Sequence, residues 1–178
     1  MKYVALLRGI NVGGNNTVDM KQLKTCFETA GFKNVSTYIN SGNVLFETSE
    51  KSKKTIVACI ETGIETTFGF PVRVIIRTNK NIANVLNSVP RTWKNDVEQK
   101  TDVLFLRDGY ARSHSLSLIQ HNQQVDTLKD VDGAIVWRVM KKDYTLSGMN
   151  KLIGTEIYKN MTARNINTVR KLSALMQN

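Results

Sequence analysis

Proline, cysteine and histidine are scarce in this sequence, with two of each among 178 residues. So few prolines, and no low-complexity run, argue against a disordered chain. Two cysteines are too few for a disulfide scaffold. Cys26 and Cys59 fall at apolar positions of helical patterns, so both are expected to be buried, reduced thiols. His114 and His121 stand seven residues apart with no third ligand at metal-binding spacing, and no metal is expected. Asp130-x-Asp132-Gly133 resembles part of a calcium loop, but the first and twelfth positions would be Leu128 and Val139, so it reads as a hairpin turn.

Long apolar runs are missing too. No stretch approaches the ~20 residues that cross a bilayer. The opening Met1-Lys2-Tyr3-Val4-Ala5-Leu6-Leu7-Arg8 is too short for a leader peptide and ends in Arg, not in a small-residue cleavage site. A cytoplasmic protein without membrane contact is the expectation. Also absent are G-x-S-x-G, H-E-x-x-H, the P-loop Gly-Lys-Ser/Thr and G-x-G-x-x-G. No cofactor is expected, and no catalytic residue stands out.

What is present is an ordinary globular composition, 41% hydrophobic and 22% charged, with a formal charge of +10. The charge is uneven. Residues 1–78 hold 10 basic and 6 acidic groups, residues 79–137 hold 7 of each, and residues 138–178 hold 8 basic against 2 acidic. A basic tail region of this kind reads as a surface for an anionic partner, or as a solvated face without one.

The apolar run Tyr3–Leu7 has the length of a central strand. Asp19 and Gln22 form a capping pair, Met20, Leu23, Phe27 and Ala30 follow helical spacing, and Gly31 stops that helix. Val35, Thr37 and Ile39 alternate with Ser36 and Tyr38 as a second strand. A tight turn at Ser41-Gly42 leads into Val44-Leu45-Phe46, and a second helix over 55–68 ends at Gly69 and Pro71. Val72–Arg77 is a fourth strand. This βαββαβ order predicts an α+β, ferredoxin-like fold with an antiparallel sheet over residues 1–78. A short helix and polar linker follow over 79–100. Residues 101–178 form a related second α+β unit ending in a basic C-terminal helix, with Asn165 or Asn167 as its cap. Two echoes suggest that relation: Val103-Leu104-Phe105-Leu106-Arg107-Asp108-Gly109 with Val4–Gly9, and Tyr144–Gly148 with Tyr38–Gly42. A helix around Leu116 and Ile119 is expected between them.

Counting strand reversals puts the loop over residues 9–16, the turn over 40–43 and the connection over 69–71 at one end of the first sheet. Glycine and asparagine there tolerate positive φ, and such loops can turn N–H groups toward an anion. The same composition is equally met in a tight loop with no ligand. The expected ligand-binding set is Arg8, Asn11, Gly13, Gly14, Ser41 and Asn43, joined by Thr162, Arg164 and Arg170 from the C-terminal region. These residue types hold oxyanions and do not move protons well. An anion-binding module for nucleic acid or a phosphorylated small molecule is the leading expectation. A transferase or hydrolase acting on a phosphorylated substrate, or a non-enzymatic interaction protein, are the alternatives. Tyr3 and Phe46 do not make the aromatic-rich platform of RNA-recognition motifs, although Arg73 and Arg77 could line an electrostatic groove.

Leu7-Arg8-Gly9-Ile10-Asn11-Val12-Gly13-Gly14, with Ser41-Gly42-Asn43-Val44 and Met161-Thr162-Ala163-Arg164-Asn165 followed by Asn167-Thr168-Val169, resembles the domain of unknown function 1697 family of bacterial proteins. Ile166 departs from the Trp usual between that family's two asparagines. The resemblance implies a ferredoxin-like α+β fold with a related second half, and no activity.

Overall fold

In the computed structural model, described for every residue except Asn15, residues 111–114 and Asn178, the chain divides into two compact units, Met1–Asn79 together with the chain end from Met176, and Lys80–Leu175. His114 lies outside the described residues. The first unit runs β1 (Lys2–Leu7), α1 (Met20–Thr29), β2 (Lys33–Tyr38), β3 (Asn43–Glu47), α2 (Lys53–Phe68) and β4 (Val74–Thr78). Its sheet has the order β2-β3-β1-β4 with every neighbour antiparallel, the ferredoxin-like arrangement.

Local signals explain the helix ends. The Asp19 carboxylate accepts from the Gln22 amide at 2.8 Å to start α1, and the Ser52 hydroxyl accepts from the Thr55 amide at 3.3 Å to start α2. Tyr3, Ala5 and Leu7 of β1 pack into one core with Leu23 and Phe27 of α1 and Ile56, Ile60 and Ile64 of α2. Val4 and Leu6, on the opposite face, are fully buried as well, which is why β1 reads as a continuous apolar run. Tyr3 and Phe46 stack at 5.7 Å inside that core, so neither ring is offered to a base.

The turn between β2 and β3 departs from the alternating pattern. Ile39 is not the last inward residue of β2. It has left the strand, is 48% exposed and adopts φ +50°. Gly42, at φ +73°, lies so close to β1 that a Cβ there would stand 2.7 Å from Leu7 Cβ and 2.8 Å from Ile10 Cδ1.

The second unit contains α3 (Asn79–Asn87, starting at the boundary), β5 (Gln99–Leu106), β6 (Asp126–Val131), β7 (Ala134–Met140), α4 (Glu156–Lys159), β8 (Met161–Asn165) and α5 (Ile166–Gln177). Its sheet order, β6-β7-β5-β8, is the same as that of the first. Register agrees too: Arg77 stands opposite Val4, and Arg164 opposite Val103. The Leu7 amide donates to the Gly42 carbonyl at 2.8 Å, and the Leu106 amide to the Gly133 carbonyl at 3.0 Å. The Arg8 amide donates to Arg73 and the Arg107 amide to Asn160, each at 2.9 Å.

This register corrects two expectations. The counterpart of Gly42 is Gly133, so Tyr144–Gly148 is no echo of Tyr38–Gly42; those residues lie in 3-10 turns over Lys141–Leu146 and Gly148–Lys151. The helix expected around Leu116 and Ile119 is one 3-10 turn, Ser115–Leu118. Nor is the polar stretch before β5 a free linker. The Arg170 guanidinium donates to the Trp93 carbonyl at 2.8 Å and to that of Arg91 at 3.3 Å, and the Asn167 amide donates to Asn95 at 2.7 Å. Asn165 is the cap of α5, accepting from the Thr168 amide at 2.9 Å.

The thiols differ. Cys26 is buried at 8% exposure, whereas Cys59 is exposed, one residue off the Ile56, Ile60, Ile64 stripe that α2 turns inward. Native labelling with a thiol reagent should modify Cys59 quickly and Cys26 only at the rate of local opening. Gly42→Ala should destabilise the protein by about 3 kcal/mol in denaturant titration, combining left-handed backbone strain with overpacking.

Candidate functional site

At the end of β1 the chain enters a loop that is shaped by its own asparagines. Asn11, at φ +54°, closes it by donating its amide to the Asn16 carbonyl at 3.1 Å. The Asn11 side chain then bridges three groups: Oδ1 accepts from Val18 N at 2.8 Å, and Nδ2 donates to Val18 O at 3.1 Å and to Asn40 O at 2.9 Å. Asn16 Nδ2 donates to Gly9 O at 3.1 Å. The loop over 9–16, the β2–β3 turn and the strand following Pro71 therefore meet at one end of the sheet, joined by Asn11–Asn40 and Arg8–Arg73 bonds.

The expected site residues separate into two kinds. Gly13, Gly14 and Ser41 are exposed at this rim, and Arg8 is half-buried beside them. Asn11 and Asn43 stand behind as struts. Asn43 is fully buried and donates to Tyr38 O at 2.9 Å and Ser41 Oγ at 3.0 Å, so it fixes the turn and cannot touch a ligand. Arg73 adds a second guanidinium, paired with Glu61 at 3.4 Å. The other Glu61 oxygen accepts from Val74 N at 2.9 Å, which locks that carboxylate to the strand.

Thr162, Arg164 and Arg170 belong to the second unit and do not form an exposed basic face there. Thr162 is 5% and Arg164 7% exposed. The Arg164 Nη1 donates to Thr162 Oγ1 at 2.9 Å and to Ala163 O at 2.8 Å. Burial lowers the Arg164 pKa to about 10, which leaves the guanidinium charged at neutral pH. Arg77, its counterpart in the first unit, is equally buried and donates to Ile76 O at 2.8 Å, so it lines no groove. Arg170 is committed to the carbonyls of residues 91 and 93.

One polar centre carries no sequence signature. Asp126, at the start of β6, is 7% exposed and accepts four hydrogen bonds. Its Oδ1 takes Trp137 Nε1 at 2.9 Å and the Ser147 hydroxyl, and its Oδ2 takes the amides of Asn122 and Gly148, each at 2.8 Å. Ser147 in turn accepts from Met149 N at 3.1 Å, so its hydroxyl is a structural relay and not a nucleophile. Burial raises the Asp126 pKa, but the bonds from Ser147, Trp137, Asn122 and Gly148 outweigh it, and the net shift is downward. His121 sits near this centre with Nδ1 3.4 Å from the Ile119 carbonyl. Among the described residues no group of three or more His, Cys, Asp or Glu side chains could hold a metal, and no helix is long and apolar enough to cross a membrane.

Fold and loop geometry together define an α+β protein of two related units, each on a four-stranded antiparallel sheet. The chain belongs to the family described as protein of unknown function (DUF1697), whose model matches residues 1–137. That match ends in β7, so the Met161–Asn165 segment lies beyond it. The chain is also similar to a solved structure described as the conserved bacterial protein SP0830 from Streptococcus pneumoniae. The two are 27% identical, with a TM-score of 0.83 and 98% of each chain covered. No curated protein matches.

Because Asp126 has a depressed pKa in the folded state, its contribution to stability is complete above the unfolded carboxylate value and is lost as pH falls through the folded one. Asp126→Asn replaces two acceptor positions by donors facing Asn122 and Gly148 amides or their neighbours. It should cost about 2–4 kcal/mol at pH 7. In urea titrations across pH, the gap between the two proteins should narrow below about pH 4.

Proposed function

We propose that the first unit binds a phosphorylated small molecule at the rim formed by Arg8, Gly13, Gly14, Ser41 and Arg73. The observation that carries this reading is the 2.9 Å bond from the Arg8 amide to the Arg73 carbonyl, which sets two arginines on neighbouring strand ends beside an exposed glycine loop. Guanidinium groups match phosphate geometry, and the loop is already held in shape before any ligand arrives, so little ordering entropy opposes binding. Glu61 neutralises part of Arg73, but the guanidinium is the exposed partner, at 59%, and it can turn from the fixed carboxylate toward a ligand at small cost.

The rim offers arginines, a serine and backbone amides, and the Glu61 carboxylate beside them is engaged by Arg73 and the Val74 amide. That supports binding over the transferase or hydrolase alternative. Nucleic acid falls behind a small ligand for a separate reason: Arg164 is buried and Arg170 is committed to backbone carbonyls, which removes two of the cations expected to follow an extended phosphate backbone.

Equilibrium dialysis with glycerol 2-phosphate should give saturable binding, weakened about tenfold in Arg8→Ala, the loss of one charge-assisted contact. Lys151→Ala, in the second unit, should leave it unchanged. If the unmodified chain shows no saturable binding at millimolar ligand, the reading is wrong. Duplex DNA binding with a log–log salt slope near −3.6, about four phosphate contacts, would put nucleic acid first instead.

A further inference from the structure

Both cysteines of the chain open on one groove, away from the phosphate rim. The groove runs between α1 and α2, has a volume of about 1090 Å³, and carries Cys26 and Ala30 on one wall and Ala58, Cys59 and Gly63 on the other. Gly63 brings the two sulfurs toward each other. Glycine in mid-helix weakens α2, so its presence there needs a reason. A Cβ on Gly63 would stand 3.2 Å from the Cys26 sulfur, tighter than ordinary contact, so the missing side chain lets that sulfur rest against α2. Cys59 lies four residues earlier on the same helix. Four residues turn the direction by only about 40° and leave the two Cβ positions roughly 5–6 Å apart. The Cys26 sulfur is thus one helical turn from Cys59, on the same side of α2.

Two thiols at this spacing narrow the chemistry. A direct disulfide needs sulfurs about 2 Å apart and Cα atoms roughly 4.4–6.8 Å apart. The Cys26 sulfur sits against Gly63, so a direct bond would have to close a further helical turn. A bridging ion asks for less: with metal–sulfur bonds of about 2.3 Å it joins sulfurs up to roughly 4.6 Å apart. Tetrahedral zinc takes four donors, and among the described residues no three His, Cys, Asp or Glu side chains gather to hold a metal. The lining of the groove also offers no carboxylate or imidazole to a harder ion. A thiolate pair without a third partner suits a soft ion of low coordination number, and soft sulfur ligands select monovalent copper.

We propose that Cys26 and Cys59 form a two-coordinate site for a soft monovalent cation of the Cu(I) type. Binding exchanges two S–H bonds for two metal–sulfur bonds and releases two protons, with no change in the oxidation state of metal or sulfur. Cys59 is exposed and receives the ion first; Cys26, at 8% exposure, closes on it from the floor of the groove. A sulfur too recessed for a bulky thiol reagent is still within reach of a bare ion.

The test titrates the reduced full chain with Cu(I) under anaerobic conditions, against a coloured Cu(I) chelator. One ion per chain is expected, with no change in size on gel filtration, and equimolar Zn(II) should not reduce the loading. At about pH 6, where thiols are protonated, a pH-stat should count two protons released per ion. Cys59→Ser changes only an exposed side chain. It should weaken binding by more than the roughly hundredfold that loss of a supporting partner can cost, and cut the release to about one proton. Cys26→Ala should do the same; if it does not fold, Cys59→Ser and the proton count decide alone. Unchanged binding in Cys59→Ser overturns the proposal, because methionine sulfurs would then be the ligands. So does half an ion per chain with a doubled mass, which would place the ion between the Cys59 thiols of two chains. Glycerol 2-phosphate binding should be the same in Cys59→Ser as in the unmodified chain, so the two proposals stand or fall separately.

Discussion

The carboxamide of Asn11 holds the loop end of the first sheet in place. A carboxamide can accept through its oxygen and donate through its nitrogen, and Asn11 uses both at once: it closes a ring with the amide and carbonyl of Val18 and reaches the Asn40 carbonyl of a different connection. No single backbone group could do this. The loop has few apolar contacts of its own, so without that side chain the cost of ordering its glycines would fall on Ile10 and Val18, the two residues it buries. The tie between the two loops depends on it, while Asn43 fixes Ser41 and the Leu7–Gly42 bond holds the hairpin to β1.

The two buried arginines show how far the units share a plan. Arg77 and Arg164 stand at the same register position, each donates to the carbonyl of the residue before it, and each is less than a tenth exposed. A buried guanidinium is costly unless its donors are satisfied, and a strand that supplies its own carbonyl covers part of that demand locally. The units diverge in their helices. The first packs long, capped α1 and α2 on its sheet, whereas in the second Trp137 and Met161 of strands β7 and β8 pack with Met149, Leu152 and Ile157 from turns and the four-residue α4. Trp137 carries the only polar atom of that core set which reaches the Asp126 carboxylate, so the aromatic ring and the charge are buried as one feature.

Much of this was legible because it is local. Asp19, Gly31 and Gly69 mark helix ends through hydrogen bonds and backbone angles confined to one turn, and β1 announces its burial by an unbroken apolar run; the Ser52 cap, which starts α2 at Lys53 and not at Thr55, was missed. Counting reversals was enough to bring the three loops together. What escaped was decided at a distance. Ile39 continues the β2 alternation perfectly, and only the reach of the Asn40 carbonyl to Asn11 turns it out of the strand. Cys59 lies one residue from an inward stripe, a difference of about 100° that apolar spacing alone does not resolve. Thr162 and Arg164 looked like surface because they are polar and near a helix start, yet it is Ala163 that is exposed in β8. Asp126 sits between Val125 and Thr127 with nothing to mark it; its four partners come from three separate segments.

The contrast between Asn11 and Asp126 bears on where a ligand can bind. Each unit ties its connections with one polar side chain, but one strut is neutral and the other carries a charge. A carboxylate at position 11 could accept from Val18 but could not donate to Val18 or Asn40, and its charge would lie beside Arg8 and weaken the positive field of the rim. The amide gives the same rigidity at no electrostatic cost. In the second unit the demand is reversed: four donors converge on one point, which only an acceptor with two oxygens can satisfy, and the charge is stabilised by those bonds. Two of those donors, the Asn122 and Gly148 amides, belong to residues that also line a polar hollow with Gln120, His121, Gln123 and Lys151. The same physical problem is thus solved by an amide in one unit and by a carboxylate in the other.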